Sequence, residues 1–274
     1  EASVFHSSYY RITKSVGVRS VTTVHDFTHE NGALTGARSR ALISLKRKAI
    51  SKSDAIISIS QATTNELLER FPNIQGRHVV TIYNGVSDEF NRPARAFSAR
   101  PIYVVFVGSR AHYKGFELAV KAVSLLASVD CWLYVIGGGA LSSSERSLLN
   151  KNIGGRFRAM PHIDTPSLAD LLSQAVALVY PSEYEGFGLP PIEAMRASCP
   201  PIVRNTSCLP EVCGDAAVLL ETQSPDECAE KILMLLDEGV RRRFQLVGES
   251  WASQYSWDRC FEATKSVYQE LGLR

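Results

Sequence analysis

From about residue 101 onward the chain repeats one pattern: a short β-branched and aromatic run, a loop marked by glycine or proline, then apolar residues at three and four spacing. Strand 102–107 leads to an amphipathic helix from 116 to about 127 and to a strand at 131–136. Gly137-Gly138-Gly139 breaks that strand, and Ser144-Glu145 starts another helix. The alternation continues through 156–160, 167–174, 175–180, 190–197, 200–203 and 215–220. Strands joined through helices pair in parallel and need both sheet faces covered, so the fold class is α/β with a doubly wound sheet. Residues 1–90 carry part of a second such unit, with strands at 2–5, 20–24, 55–59 and 78–82 and helices near 37–51 and 61–70. The stretch 91–101, with two prolines and several small or basic residues, reads as a linker. The expected organisation is a partial first domain over 1–92, a second domain over 93–252, and a terminal helix within 253–274 with apolar positions Trp257, Phe261, Val267, Tyr268 and Leu271. That helix fits equally well as a cap on the second domain.

At 274 residues, with 45% hydrophobic and 21% charged content, the chain is long enough for two domains or one large one with a substantial core. A net charge of +2 argues against a nucleic-acid binder held by bulk electrostatics. Arg241-Arg242-Arg243 lies in a helical stretch and reads as a solvated face. The six cysteines show no CxxC pairing, which suits free thiols and a cytoplasmic protein. No apolar run approaches the ~20 residues of a membrane span, so any membrane contact is peripheral, at the inner membrane surface.

One segment points to chemistry: Tyr-Glu-Gly-Phe-Gly-Leu-Pro-Pro-Ile-Glu-Ala-Met at 184–195. It follows the buried run 175–180, which puts Glu185 beyond the carboxyl end of a strand. Gly186 and Gly188 flank Phe187 and leave backbone bare for a ligand, while Leu189-Pro190-Pro191 opens a helix with proline in its first turn. Glu193 follows early in that helix. Two carboxylates and a run of amide donors would then face the crevice where open α/β sheets bind ligands, a match for a nucleotide-linked sugar. Gly137 and its neighbours lack the glycine at 142 that a dinucleotide fingerprint needs, and read as a loop that lets nucleotide phosphate or ribose approach. Pro161-His162-Ile163 offers a wall for the base or a buried turn. His25 and His29 stand four apart with Asp26 and Glu30 beside them, but no third ligand is evident, so no metal is expected.

This segment resembles the signature of the retaining glycosyltransferases of the two-Rossmann-domain type, family 4 or group 1, which includes sucrose synthases and mannosyltransferases of bacterial surface polysaccharides. Other blocks fall in the same order: Val24-His25-Asp26, the run 53–60, Tyr83-Asn84-Gly85-Val86, Phe106-Val107-Gly108-Ser109-Arg110, Tyr113-Lys114-Gly115, Leu209-Pro210-Glu211-Val212 and Tyr255-Ser256-Trp257. The resemblance implies two facing Rossmann-like domains, the first incomplete here, with further strands before residue 1 or a partner chain completing it. It also implies a final helix crossing back to the first domain. Near residue 198 the family usually has glycine where this chain has Ser198.

The activity implied is transfer of a hexose, with mannose favoured, from a nucleotide-diphosphate sugar to a saccharide or lipid-linked acceptor, with retention of configuration. No Asp-x-Asp metal motif occurs, and no cofactor is called for. Arg110 and Lys114, four apart after the 102–107 strand, would neutralise the diphosphate, helped by amides near Gly108. By the resemblance, Glu193 takes the ribose hydroxyls, Glu185 and the amides of Gly186, Phe187 and Gly188 hold the sugar, and His25 donates to the transferring group. A metal-independent nucleotide-sugar epimerase and a non-catalytic nucleotide-sugar-binding subunit are the alternatives. The first would consume donor without acceptor; the second would bind donor without turning it over.

Overall fold

A computed structural model describes residues 3–7, 9–94 and 102–272. It divides into two compact units: Glu1–Gly85 with Glu185–Phe187 and Tyr255–Arg274, and Val86–Tyr184 with Gly188–Gln254. Most of the 91–101 linker, and the first residue of the strand expected at 2–5, lie outside the described residues.

The second unit is built on six strands: β5 (Tyr103–Val107), β6 (Trp132–Ile136), β7 (Phe157–Met160), β8 (Leu178–Tyr180), β9 (Pro201–Arg204) and β10 (Val218–Leu220). They run in the order β10-β9-β8-β5-β6-β7, and every pair is parallel. Chain order reverses between β5 and β8, the point where sheets of this kind open a crevice at their carboxyl ends. Helices α3 (Phe116–Ser124), α4 (Ser143–Ile153), α5 (Thr165–Ser173), α6 (Leu189–Arg196), α7 (Leu209–Cys213), α8 (Pro225–Met234) and α9 (Glu238–Ala252) cover it. Val104, Phe106, Leu133 and Val135 alternate along β5 and β6 into one core with Ala119, Val120 and Val123 of α3 and Cys228 and Ile232 of α8. Burying a side chain such as Phe106 stabilises the fold by about 2–3 kcal/mol.

Local chemistry sets the helix ends. Asp164 accepts from the amide of Ser167 at 2.8 Å, so α5 begins at Thr165 instead of at 167. Ser142 and Glu145 form a reciprocal capping box on α4. The basic run in α9 is not uniformly solvated: Arg241 is buried, and only Arg242 and Arg243 are exposed. Ser198 takes a left-handed backbone, φ 55°, which accounts for a glycine preference at that position. Its hydroxyl donates to the Arg92 carbonyl at 2.8 Å.

The first unit holds β1 (Ser3–Ser7), β2 (Val18–Val24), β3 (Ala55–Ser58) and β4 (His78–Thr81), parallel and in chain order, with α1 (Ala37–Lys52) and α2 (Gln61–Arg70). Among the described residues β1 pairs on one side only, with β2. Helix α10 (Trp257–Glu270) belongs to this unit: Val267 joins a core with Val21, Ala55, Ile57 and Ile82. His78 and Glu270 pair at 3.3 Å. Trp257 and Phe261, 52% and 62% exposed, do not join that core. Gly85 seats the helix start, since a Cβ there would lie 2.2 Å from the Trp257 nitrogen. No helix among the described residues is long and apolar enough to cross a membrane. Five cysteines are buried as free thiols and Cys260 is half-buried.

Candidate functional site

In the second unit the loops after β5, β6 and β8 meet at the chain reversal. Gly108 ends β5 with φ 115°, and its amide donates to the Ile136 carbonyl at 2.9 Å. Gly137 continues β6 by donating to Met160 at 2.9 Å. Between these loops lies Arg110, whose side chain is 4% exposed. Its Nε donates to Glu145 at 2.7 Å, and its terminal nitrogens donate to the carbonyls of Gly137 (2.7 Å), Gly138 (3.1 Å), Gly139 (3.2 Å) and Ala140 (3.0 Å). Arg110, expected with Lys114 at a phosphate, is thus engaged by protein atoms in this structure. A planar fork of donors finds carbonyls at matching spacing, and Arg110 instead holds the glycine loop in place. Gly138 is obligatory in this packing: at φ 70°, a Cβ would sit 2.6 Å from the guanidinium and 2.8 Å from the Gly108 carbonyl.

Glu145, which the sequence marks only as a helix starter, completes the network. It pays a desolvation penalty, yet its bonds to Arg110 and Ser142 hold its carboxyl below the usual range. The capping-box spacing from Ser142 was its signal; its partner Arg110 lies too far along the chain to be read.

Lys114 closes a 3-10 turn, His112–Lys114, with its Nζ 5.1 Å from the Tyr113 ring centroid and 5.7 Å from that of Tyr180, the last residue of β8. The turn is stitched to the loop after β8 by the Glu183 amide, which donates to Tyr113 at 2.7 Å. Gly115 lets the two loops touch, because a Cβ there would lie 2.5 Å from the Pro181 carbonyl. A cation and the amino end of α3 thus stand beside the end of β8.

Helix α6 leaves this same end. Gly188 precedes it at φ 86°, and a Cβ would meet Leu209 at 2.8 Å. Leu189, Pro190 and Pro191 are its first three residues. Pro190 and Pro191 carry no N–H, so no amide donor comes from these two positions of the first turn. Glu193 follows, between buried Ile192 and Ala194. Its carboxyl has no hydrogen-bond or ion-pair partner among the described residues, and burial pushes its pKa up to about 7. His162, exposed, and Ile163, half-buried, follow β7 at the sheet's edge.

The first unit carries the rest. His25 and Asp26 follow β2, and Glu185–Phe187 packs there. Gly186 lies on the strand end so closely that a Cβ would fall 1.8 Å from the His25 carbonyl, and its own carbonyl accepts from Thr63 at 3.2 Å. Phe187 is buried against Tyr83 and Tyr255, ring centroids 6.1 and 5.6 Å away. Both expectations for the glycines are corrected: protein, not open space, fills the room that Gly186 and Gly188 leave. The two glutamates also divide, Glu185 with the first unit and Glu193 with the second. The His25 imidazole is lowered from its ordinary pKa by desolvation, with Asp26 pulling upward and Lys46 downward. His29 pairs with Ser39 at 3.0 Å. No cluster of three or more His, Cys, Asp or Glu suited to a metal occurs among the described residues.

Comparison with known proteins gives the family of this fold. Residues 87–248 match the family model for glycosyl transferases group 1, and residues 2–90 match that for glycosyltransferase family 4. An uncharacterised glycosyltransferase of Methanocaldococcus jannaschii is 30% identical over 81% of this chain, which spans 61% of that relative's length. The O-antigen chain mannosyltransferase B of Escherichia coli is 26% identical over 92% of this chain and 71% of its own. Among solved structures, the sucrose-phosphate synthase of Thermosynechococcus elongatus superposes with TM-score 0.81 at 20% identity, covering 98% of this chain and 73% of that one, a likeness of fold alone. With more than half of its length matched by one family model, the chain belongs to the glycosyl transferases group 1 family.

Proposed function

We propose that this chain is the donor-binding part of an enzyme that transfers a hexose from a nucleotide-diphosphate sugar to a saccharide or lipid-linked acceptor, without a metal and with retention. The observation that carries the reading is Glu193, a half-buried carboxyl with no side-chain partner among the described residues, on the helix that follows β8 at the sheet's reversal point. A vicinal diol supplies the two donors such a group lacks, so Glu193 is assigned the ribose. Lys114 and the amino end of α3 take the diphosphate, with Arg110 acting on it through the glycine loop. His162 and Ile163 flank the base. Glu185 and His25 are assigned the sugar hydroxyls and the transferring group on the family resemblance. The leaving phosphate, held by Lys114, then takes the acceptor proton on the same face. The mannosyltransferase relative supports mannose as the first sugar to try.

Helix α1 supports a peripheral membrane contact. It exposes Arg38, Arg40, Arg47, Lys48 and Lys52, contains no acidic residue, and leaves Leu45 49% exposed among them. Near an anionic surface each such cation contributes about 1 kcal/mol.

The test is a thermal-shift panel of UDP, GDP and ADP, then their sugars. One nucleotide should raise Tm with concentration, and more strongly at pH 8 than at pH 6, because an ionised Glu193 accepts from both ribose hydroxyls. Nucleotides that leave Tm unmoved at millimolar concentration would defeat the reading.

A further inference from the structure

Lys46, midway along α1, is 1% exposed, a depth at which lysine is rarely found unpaired. Its Nζ donates to the Asp26 carbonyl and to Glu30 Oε2, each at 2.8 Å. It also lies 4.9 Å from the Phe27 ring centroid and 5.3 Å from that of Tyr10. Three of these four partners belong to the 26–30 turn that follows β2. The turn has its own bonds, Thr28 amide to Asp26 Oδ1 at 3.0 Å and Asn31 amide to the Phe27 carbonyl at 2.8 Å. The lysine anchors it to a helix. The other oxygen of Glu30 is buried with no partner among the described residues, so the pair is not optimised for stability. An apolar pair of the same volume would serve that end as well or better. What the ionic pair adds is direction: it pulls on one carbonyl, adjacent to the His25 carbonyl against which Gly186 is packed.

We propose that Lys46 is a positioning residue, clamping the Asp26–Glu30 turn so that His25 and the Glu185-Gly186-Phe187 segment seated on it keep a fixed geometry. The proposal rests on the role given to His25 above. The charged and titratable groups around His25 are Asp26 beside it, Lys46 from α1, His6 from β1, and Tyr10, which bonds to its backbone, with Glu30 acting on Tyr10 in turn.

The test uses K46M/E30Q, in which neither charge is left buried alone, beside K46M, which strands Glu30 and is the variant prone to misfold. In the double variant of this chain, followed by NMR, the His25 ring should titrate at higher pH than in the parent, since a cation that lowers it has gone. Amide exchange at Thr28 and Asn31 should quicken roughly tenfold or more while the core of β3 stays protected. In the transfer reaction, kcat should fall roughly tenfold or more with donor KM nearly unchanged, the mark of a misplaced group. A double variant with parental His25 titration and parental exchange in the turn would overturn the clamp. If instead H25A transferred sugar normally, the functional assignment of His25 would fail, and the titration and exchange results would still decide whether Lys46 holds the turn.

Discussion

Two places at the mouth of the second sheet handle buried charge in opposite ways. In the loops after β5 and β6, Arg110 binds Glu145 and four carbonyls, so the cation is consumed by the protein itself. At α6, Glu193 is half-buried with no side-chain partner among the described residues, and burial pushes its pKa up to about 7. The first arrangement is a finished structure. The second is a partly desolvated carboxyl that the described residues leave without a donor. A charged side chain near a crevice is thus informative about ligands only once its protein partners are known.

Breaking the finished network should have the largest effect. Arg110→Ala leaves Glu145 without its ion pair and the carbonyls of residues 137–140 without donors, and should cost about 3–5 kcal/mol in urea unfolding, the range for breaking a buried pair from one side. Arg110→Lys should recover only part of that, because one ammonium cannot serve the fork of acceptors.

Replacing the Glu193 carboxyl should act with the opposite sign and only at high pH. The folded-state pKa of Glu193, about 7, lies above the ordinary value of 4.5. The protonated group therefore favours folding below about pH 4.5, and that contribution is lost as pH rises through 7. Glu193→Gln should match the parent at pH 4.5 and exceed it at pH 8 by on the order of 2–3 kcal/mol. Nucleotide affinity measured by calorimetry at pH 8 should fall roughly tenfold to a hundredfold in the same variant. A protein stabilised by the change but binding nucleotide as before would detach Glu193 from the ligand.

The smallest effect should come from a site where gain and loss nearly cancel. Ser198→Gly relieves a left-handed serine, worth about 1 kcal/mol, and forfeits the bond to the Arg92 carbonyl, worth about the same. A Tm shift beyond a few degrees in either direction would mean that one of these terms dominates.

The strands and helices were legible because they depend on period and on caps within a few residues: Ser142 with Glu145, or Asp164 with Ser167. The glutamate segment was legible as a family signature for the same reason. What its glycines are for was not. At Gly186 the deciding atom is the His25 carbonyl, and at Gly138 it is the Arg110 guanidinium, contacts made from far along the chain. The anchoring of Lys46 to the 26–30 turn has the same origin.

The amino-acid order by itself determined the parallel α/β class and the family signature, because periodicity, caps and motifs are local properties. Only the tertiary structure decided which charges are already answered by protein and which is not. Burial and partner choice are set by segments brought together across the fold, and they separate Arg110, fully engaged, from Glu193, half-buried with no side-chain partner among the described residues.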